Sequence, residues 1–450
     1  MAAVDEIVRQ PVTHYENLSS RFICSKDLTF DRQYFHAYET RLKHFRANLE
    51  KNAKNTWDTK LNIIPLVDLE ENMAGIIIGT LFKCQTLKPS ILKELSEELN
   101  VLPQPIEGKC ISDEDSVVLE DEVQRITLIG NIDIDDIVTG IPVAVKGIQN
   151  DEGKFVVDAM IFPSMTFLKP PKIKSDQYVL FLSGLEFNSK DSRDDERSLL
   201  AVDMLVDWLT GSVSSAGSHE VDLVSKICRV IMAGNLISQT AQDSSMSSQA
   251  KYISRNTQTN SVEAVAHGDN YLTKLAAHVD IDVMPGSYDP TNYLFPQQPL
   301  HKCLFDSASK YNTLHNVTNP YSADVCGRRI FGTSGQNVDD IRKFCRLDKS
   351  LDILEKLLQW SHLCPTSPDT LGCFPYYDND PFVIDECPHI LFAGNQPALE
   401  SKIIQNPYSS SGGETFVDTL LLSIPSFRRT GVVAVVNLKN LSVTPVRFRL

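Results

Sequence analysis

Four short turns, each directly after an apolar run typical of a strand, are the places in this sequence where side chains could do chemistry. They read FLSGLE (181–186), GNLIS (234–238), PGSYD (285–289) and GNQP (394–397). In open α/β sheets ligands bind beyond the carboxyl ends of the strands, so we expect the four turns to meet at one edge. The chemistry that suits such an edge is two-metal hydrolysis, in which two cations about 3.5–4 Å apart stabilise the reacting oxygens.

The four turns resemble, in this order, the SDxH, GDxxD, PGNHD and GHxH blocks of the calcineurin-like phosphoesterases. In the first block Gly184 takes the aspartate position and Glu186 the histidine position. In the second block Asn235 stands in place of the bridging aspartate and Ser238 in place of its follower. Without a bridging anion, the repulsion between two cations has nothing to offset it. The remaining ligand histidine of the family would fall near GTSG (332–335), which contains none.

The other two blocks have also lost most of their metal ligands. Ser287 replaces the ligating asparagine and Tyr288 the catalytic histidine, while Asp289 survives. Asn395 and Pro397 replace both histidines of the fourth block. The glycines and prolines that shape the turns are kept, while most of the ligand side chains are lost. The sequence therefore predicts a scaffold with no catalytic residue, no metal site and no cofactor site.

The composition is typical of a folded, acidic protein with more than one domain. At 450 residues the chain is long enough for two or three cores. Its 43 Lys and Arg against 58 Asp and Glu give a net charge of −15, which disfavours strong, direct binding to nucleic acid. No run approaches the ~18 apolar residues of a membrane span, and no signal peptide is recognisable, so we expect an intracellular protein. Ten scattered cysteines without a CxxC pair predict reduced thiols rather than a metal site.

The first 172 residues are predicted to form a docking helix and an OB-type barrel. Large apolar side chains recur at three- and four-residue steps within 31–50, which predicts an amphipathic helix; they are Tyr34, Tyr38, Leu42, Phe45 and Leu49. Short apolar or alternating runs predict strands at 61–67, 74–82, 125–132, 140–149 and 154–162. A hairpin turn at 150–153 and a helix-like insert at 88–98 complete a pattern that fits an OB-fold.

The rest of the chain alternates strands and helices, which predicts a layered α/β domain. The predicted series is strand 178–182, helix 195–209, strand 227–233, helix 262–278 and strand 280–284, interrupted by polar loops at 211–218 and 239–260. Helices at 338–344 and 351–360 precede strands at 419–424, 432–437 and 443–448, which we expect to complete a second sheet. The predicted domains are an N-terminal segment with the docking helix (1–50), an OB-fold (51–172) and an inactivated calcineurin-like phosphoesterase sandwich flanked by helices (173–450).

Longer strings resemble one family, the regulatory B-subunits of the eukaryotic replicative DNA polymerases. The resemblance runs from about residue 30 to the C-terminus. The strings that carry it are PQQPLH (296–301), VTNPY (317–321), GTSGQNVDD (332–340), PTSPDTLGC (365–373) and CPH (387–389). Strings of this length are specific.

The resemblance implies a nuclear, non-catalytic subunit in which an OB-fold is joined to an inactivated calcineurin-like domain. The implied partners are the cysteine-rich C-terminal domain of the catalytic polymerase subunit and a third, clamp-associated subunit, with a fourth accessory subunit left open. Contact with the sliding clamp would be indirect, direct DNA binding weak or absent, and no membrane would be involved. Archaeal relatives in this family keep the metal ligands and act as 3′–5′ exonucleases.

Two other functions stay open at this point. One is a residual metal-dependent phosphodiesterase or nuclease with a rearranged site around Asp289 and Glu186. The other is a single-strand binder acting through the barrel, which requires stacking aromatic side chains on a basic groove. The barrel segment instead carries three aspartates within 133–136 and an acidic loop at 113–122, which favours a protein-binding or structural barrel.

Overall fold

The computed structural model describes residues 9, 14–25, 33–57, 62–88, 108–188, 193–212, 218–239, 260–410 and 413–448. The chain divides into two compact units. The first, called here the sandwich unit, comprises Met1–Lys26, Phe167–Gln336 and Pro388–Leu450. The second, called the barrel unit, comprises Asp27–Thr166 and Asn337–Cys387. Each unit therefore combines segments that are far apart in sequence.

The strands of the described residues fall into three larger sets and two short pieces. In chain order they are β1 (Tyr15–Asn17), β2 (Ala74–Cys84), β3 (Ser116–Glu120), β4 (Arg125–Gly130), β5 (Ile141–Gln149), β6 (Phe155–Ile161), β7 (Thr166–Phe167), β8 (Tyr178–Leu182), β9 (Ile227–Ala233), β10 (Asp280–Met284), β11 (Leu314–Asn316), β12 (Tyr321–Val325), β13 (Arg328–Thr333), β14 (Glu386–Cys387), β15 (Ile390–Gln396), β16 (Glu400–Ser410), β17 (Gly413–Pro425), β18 (Val432–Asn437) and β19 (Val443–Arg447). The short pieces β7 and β14 lie where the chain passes from one unit to the other.

The helices range from a single turn to the long first helix of the barrel unit. The α-helices are α1 (Phe35–Thr56), α2 (Arg193–Thr210), α3 (Ser218–Ser225), α4 (Asn260–Ala276), α5 (Gln336–Phe344), α6 (Ser350–Gln359) and α7 (Phe427–Thr430). Single 3₁₀ turns lie at Ser19–Phe22, Leu66–Asp68, Ile134–Asp136, Lys302–Leu304 and Ala308–Lys310. Among the described helices, none is both long and apolar enough to span a lipid bilayer.

The sandwich unit contains two six-stranded sheets packed face to face. One has the order β1-β12-β13-β15-β17-β16 and the other the order β11-β10-β9-β8-β18-β19. Apolar side chains from both sheets form the core between them, including Phe181 and Ile231 from the second sheet and Phe392 and Leu420 from the first. Helices α2 and α4 pack on the outer face of the second sheet. Sheets packed in this way and flanked by helices confirm the predicted fold class.

A buried ion pair of the second sheet is contacted by two tyrosines of the first sheet inside this core. Arg229 Nη1 on β9 donates to Asp282 Oδ1 on β10 at 2.6 Å, and the two side chains are 3% and 0% exposed. From the first sheet, Tyr321 OH donates to Asp282 Oδ2 at 2.6 Å. The Arg229 guanidinium also lies 3.4 Å from the centre of the Tyr15 ring on β1. A buried charge is tolerated only with such partners, so this cluster specifies how the sheets face each other.

The barrel unit contains a closed five-stranded barrel with the order β2-β3-β4-β6-β5, as in an OB-fold. Side chains alternate along each strand, so one set fills the interior and the other faces outward. The interior set includes Ile77, Val117, Leu128, Val145 and Phe155, each at most 1% exposed. The outward set of β2 and β5 packs against helix α1, which contributes Leu42, Phe45, Leu49 and Ala53.

Arg41 is the polar anchor of helix α1. Its side chain is 1% exposed, and its Nε donates to Asp380 Oδ2 at 2.8 Å. The guanidinium also donates to three carbonyl oxygens at 2.8–2.9 Å, those of Gly140, Pro365 and Ser367. Burial alone would raise the pKa of Asp380, but His362 and Arg41 hold it well below its usual range. Burial also lowers the pKa of His362 to about 4, so this imidazole stays neutral beside the ion pair at neutral pH.

Most predicted elements are present, and the differences have physical reasons. Residues 62–67 are not a strand, because after one isolated bridge the chain turns into a 3₁₀ segment. Strand β3 completes the barrel but was not predicted, because it lies within the predicted acidic loop at 113–122. Only Val117 and Leu119 of its five residues are buried. Strands β18 and β19 do not complete the other sheet: β18 pairs antiparallel with β8, so only β17 of the three joins the first sheet.

Parts of the predicted organisation lie outside the described residues or remain predictions. All but residue 88 of the helix-like insert predicted at 88–98, and all but the two end residues of the loop predicted at 239–260, lie outside the described residues. The division at residues 50 and 172 remains a prediction. The compact units differ from it, because residues 337–387 group with the barrel rather than with the surrounding sandwich segments.

We expect Arg41→Ala to destabilise the barrel unit by about 3–5 kcal/mol, because it leaves Asp380 buried without a cation. Amide hydrogen exchange of Phe35–Thr56 in the full chain measures this, and exchange should become faster. Lys43→Ala on the same helix is the control, since that side chain is 61% exposed and pairs with Glu39 at the surface. It should change stability by less than about 0.5 kcal/mol. Equal effects of the two variants would contradict the anchoring role.

Candidate functional site

The four glycine-bearing turns lie together at one edge of the sandwich unit. Strands β8, β9 and β10 run parallel, so their carboxyl ends reach the same edge. Gly184 N donates to the carbonyl of Gly234 at 2.9 Å, which joins the first two turns. A Cβ on Gly234 would lie 2.8 Å from Gly286 Cα, so the third turn is in close contact as well. The fourth turn joins them through Asn395, and the predicted convergence is confirmed.

Asn395 connects the two sheets at this edge. Its backbone is left-handed, with φ 55°, a conformation that asparagine adopts more readily than most residues. Its Nδ2 donates to the carbonyl of Ala233 in the second sheet at 3.0 Å and to that of Ser334 beside the first sheet at 2.8 Å. Its backbone N donates to Ser183 Oγ at 2.8 Å. A position where the phosphoesterase pattern has a histidine ligand is therefore occupied by a structural hydrogen-bond donor.

Residue 184 has no room for a side chain. Gly184 has φ 63°, and a Cβ there would lie 2.8 Å from both Asn395 Oδ1 and Ser426 Oγ, closer than real Cβ contacts. The aspartate of the phosphoesterase pattern would have to displace one of these groups. The neighbouring Glu186 is also engaged, because its Oε1 accepts a hydrogen bond from Ser426 Oγ at 2.9 Å and its carbonyl accepts one from Arg428.

The second turn places a neutral amide where the pattern has its bridging aspartate. Asn235 is 6% exposed and left-handed, with φ 56°. A Cβ on Gly286 would lie 2.2 Å from Asn235 Oδ1, so the glycine of the third turn is required by this amide. The Oδ1 atoms of Asn235 and Asn395 are buried and have no hydrogen-bond partner among the described residues. Two neutral oxygens lack the negative charge that a pair of cations requires.

Asp289, the carboxylate of the pattern that survives, is used to hold the backbone. Its Oδ1 accepts from Ile237 N at 3.0 Å and its Oδ2 accepts from Gly286 N at 2.7 Å. The side chain is 3% exposed, and burial raises its pKa to about 6. Oδ1 therefore ties the third turn to the second, and Oδ2 closes the third turn on itself. The predicted alternative, a rearranged site around Asp289 and Glu186, would have to break these contacts.

Sequence reasoning missed an amide network beside the turns. Asn319 Nδ2 donates to Ser334 Oγ at 2.6 Å and to Gln297 Oε1 at 2.8 Å. Gln336 Nε2 donates to the same Gln297 oxygen at 2.9 Å, and Gln297 Nε2 donates to the carbonyl of Gly286 at 3.0 Å. These residues all lie in the turns or in the strings by which the sequence resembles polymerase B-subunits. The strings therefore marked these polar residues as candidates. They did not show which of the residues contact one another.

The residues at this edge do not fit a two-metal centre. Within the described part of the chain, no group of three or more His, Cys, Asp and Glu side chains could hold a metal ion. The cavity among the turns has a volume of about 10 Å³, room for at most about one water molecule, and is lined by Gly184, Gly234 and Met284 among others. A phosphate ester could not fit in this cavity without displacing protein atoms.

The described strands of the barrel lack the exposed aromatic side chains that a single-strand binder requires. Two of the three aspartates within 133–136 form ion pairs in the barrel unit, Asp135 with Arg346 at 2.9 Å and Asp136 with Lys356 at 3.2 Å. Along strands β2 to β6, the large apolar side chains that are exposed are aliphatic, namely Ile148 and Val156. Stacking of bases requires aromatic side chains over a basic groove, so these strands favour a protein-binding or structural barrel.

Known proteins resemble the chain along nearly its whole length. Residues 179–401 match a family model for the B-subunit of DNA polymerases alpha and epsilon, and residues 33–160 match one for the DNA polymerase delta subunit OB-fold domain. The chain is 37% identical over 438 residues to the DNA polymerase delta small subunit of Oryza sativa subsp. japonica, covering 96% of this chain and 97% of that protein. It is 37% identical over 442 residues to DNA polymerase delta subunit 2 of Drosophila melanogaster, covering 97% of each. The DNA polymerase II small subunit of Archaeoglobus fulgidus is 27% identical over 267 residues, 58% of this chain and 50% of that protein.

Gly184→Asp restores the ligand type of the phosphoesterase pattern, and we expect it to destabilise the sandwich unit rather than create a metal site. The added side chain overlaps Asn395 and Ser426, which should cost about 1–3 kcal/mol beyond the strain of the left-handed backbone. Gly153→Asp is the matched control, because Gly153 has φ 72° and a Cβ added there would meet only open space. The measurements are the thermal unfolding midpoint and Mn²⁺ content. Bound Mn²⁺ with an unchanged midpoint would contradict the packing described here.

The raised pKa of Asp289 should make stability depend on pH. The folded state releases this proton near pH 6 and the unfolded state near 3.8, so the contribution is fully present below 3.8 and lost as the pH rises through 6. Relative to Asp289→Asn, which cannot titrate, the free energy of unfolding of the wild type should fall by ~2–3 kcal/mol between pH 4 and 7. Chemical denaturation of both proteins at matched pH measures this. A difference that stays constant over that range would rule out the raised pKa.

Proposed function

The chain belongs to the family of DNA polymerase delta small subunits, and from this membership we propose that it is a non-catalytic scaffold subunit of DNA polymerase delta. As an accessory subunit of this polymerase it functions within a polymerase complex in DNA replication. We propose further that it links the cysteine-rich C-terminal domain of the catalytic subunit to the third, clamp-associated subunit, with a fourth accessory subunit left open. Its contact with the sliding clamp would then be indirect.

The packing around residue 184 is the observation that carries the non-catalytic assignment. An enzyme of this fold needs a ligand side chain at that position, and here a Cβ would already lie 2.8 Å from Asn395 Oδ1 and Ser426 Oγ. A ligand side chain at this position would have to displace one of these groups, which supports the loss of the first metal ligand. This supports a fold whose edge has been retained for its shape and whose function lies in the surfaces of the protein.

The charge of the chain supports a role in assembly rather than in holding DNA. A net charge of −15 repels polyphosphate at long range, so contact with DNA would be left to other subunits. Replication and repair of nuclear DNA place the proposed complex in the nucleus. Import together with a partner subunit is compatible with the lack of a strongly basic run in this sequence.

The alternative function, a residual metal-dependent phosphodiesterase or nuclease, has less support. It would require Asp289 and Glu186 as ligands, yet both oxygens of Asp289 accept backbone hydrogen bonds and Glu186 accepts one from Ser426. Stoichiometric Mn²⁺ or Zn²⁺ in the purified chain, together with cleavage of a model phosphodiester, would favour this alternative.

Co-expression with the polymerase delta catalytic subunit should give a single complex on a size-exclusion column. The isolated cysteine-rich C-terminal domain of the catalytic subunit should be sufficient for co-elution, because we place the contact there. A catalytic subunit that lacks this domain is the matched control and should elute separately. Separate elution of the two full-length chains would contradict the scaffold proposal.

A further inference from the structure

A groove of about 250 Å³ lies in the barrel unit between helix α1 and strands β2 and β3. The helix side is formed by Phe35, Tyr38 and Leu42, and the strand side by Thr80 and Phe82 among others. Pockets that hold small ligands usually measure about 300–1,000 Å³. The groove is therefore somewhat smaller than such pockets, and its volume suits one or two large side chains.

The groove exists because the apolar stripe of α1 extends beyond the part that packs on the barrel. Phe45, Leu49 and Ala53 are at most 3% exposed and pack against the barrel strands. Phe35 lies at the start of the same helix and is 56% exposed. Side chains at 35, 38 and 42 have the three- and four-residue spacing of one helix face. The first turns of the helix therefore present an apolar surface that lines an open groove.

A buried hydroxyl lies on the groove wall without a hydrogen-bond partner among the described residues. Thr80 is 7% exposed, and its Oγ1 makes no hydrogen bond within the described part of the chain. Leaving such a group unsatisfied costs about 1–3 kcal/mol, and native structures rarely do so. Because this hydroxyl oxygen has almost no accessible surface, an occupant could bond to it only after a local rearrangement.

Acidic side chains surround the groove. Glu39, Glu120, Asp121 and Glu122 all line it, and the residues known to line it include no lysine or arginine. Two cations approach from the outside, since Lys43 pairs with Glu39 at 2.5 Å and Arg46 with Glu122 at 2.8 Å. Four carboxylates against two cations leave an excess of negative charge.

One of the four carboxylates is already used within the barrel. Asp121 Oδ1 accepts hydrogen bonds from the backbone N of Val123 and of Gln124 at 2.8 and 2.7 Å. Its other oxygen accepts from Leu66 N at 3.1 Å. Glu120 is therefore the lining carboxylate best placed to meet an incoming cation.

We propose that this groove binds a short segment of another polymerase subunit that carries one large apolar side chain next to a lysine or arginine. The apolar side chain would contact Phe35 and Tyr38, and the cation would pair with Glu120. This is the mode in which a peptide anchors a few side chains in a groove formed by a helix and its neighbours. The proposal rests on the proposed function, because the partner is a subunit of the same complex.

The test is site-specific photo-cross-linking in the assembled polymerase delta complex. The photoreactive amino acid p-benzoylphenylalanine replaces Phe35 in one preparation and Tyr293 in the control, since Tyr293 is 85% exposed and lies in the sandwich unit. We expect the Phe35 probe to label a segment of another subunit that contains an apolar residue beside Lys or Arg. The Tyr293 probe should not label that segment.

Charge reversal provides the second measurement. Glu120→Lys, combined with the Phe35 probe, should reduce the cross-linking yield at least fivefold while the complex still elutes intact. Asp151→Lys is the matched control, because Asp151 is exposed in the turn between β5 and β6, and it should leave the yield unchanged.

Several outcomes would overturn the proposal. They are no cross-link in an intact complex, a cross-link only within this chain, a labelled segment without a basic residue, and a yield unaffected by Glu120→Lys. Failure of the complex to assemble with wild-type protein would instead contradict the proposed function. The two failures are therefore distinguishable.

Discussion

The side-chain amide of Asn395 is the contact on which the edge of the sandwich depends. Carbonyl groups at the ends of two strands in different sheets must find donors, because buried backbone groups are costly when left unpaired. Asn395 supplies both bonds from one nitrogen, to Ala233 and Ser334. The amide fits only because residue 184 has no side chain, so the glycine and the asparagine require each other.

The same principle operates deeper in the unit. Arg229 and Asp282 belong to one sheet, and Tyr15 and Tyr321 of the other sheet surround them. Such clusters contribute little to stability compared with a well-packed apolar core, but they penalise any arrangement in which a charge loses its partner. The sheets are therefore held in register at the edge by the Asn395 amide and in the core by a charged pair with its tyrosine partners. In this unit, the turns that resemble metal-ligand blocks are tied together by side-chain hydrogen bonds.

The sequence was sufficient wherever a structure depends on local pattern. The turns at Gly184 and Gly234 follow apolar strands and require positive φ, so their positions and their common edge could be predicted. The contacts of Gln297 and Asn319 could not, because they join residues 22 positions apart through side chains with no periodic pattern. Strand β3 was not predicted, because the acidic residues around it made the alternation of buried and exposed side chains hard to recognise. The sheet of β18 was assigned wrongly because pairing with β8 depends on tertiary packing rather than on propensity.

Residues Asn337–Cys387 complete a barrel unit whose other segment ends at Thr166. During synthesis on the ribosome, the barrel strands emerge long before this second segment. The ion pair between Arg41 and Asp380 can therefore form only after residue 380 has been made. The sandwich segment between them is made in the interval. The barrel unit is therefore not encoded by one continuous stretch of a gene, so it cannot be transferred as a single insertion. An insertion or deletion within residues 337–387 must also leave the flanking sandwich segments, which end at Gln336 and begin again at Pro388, in place.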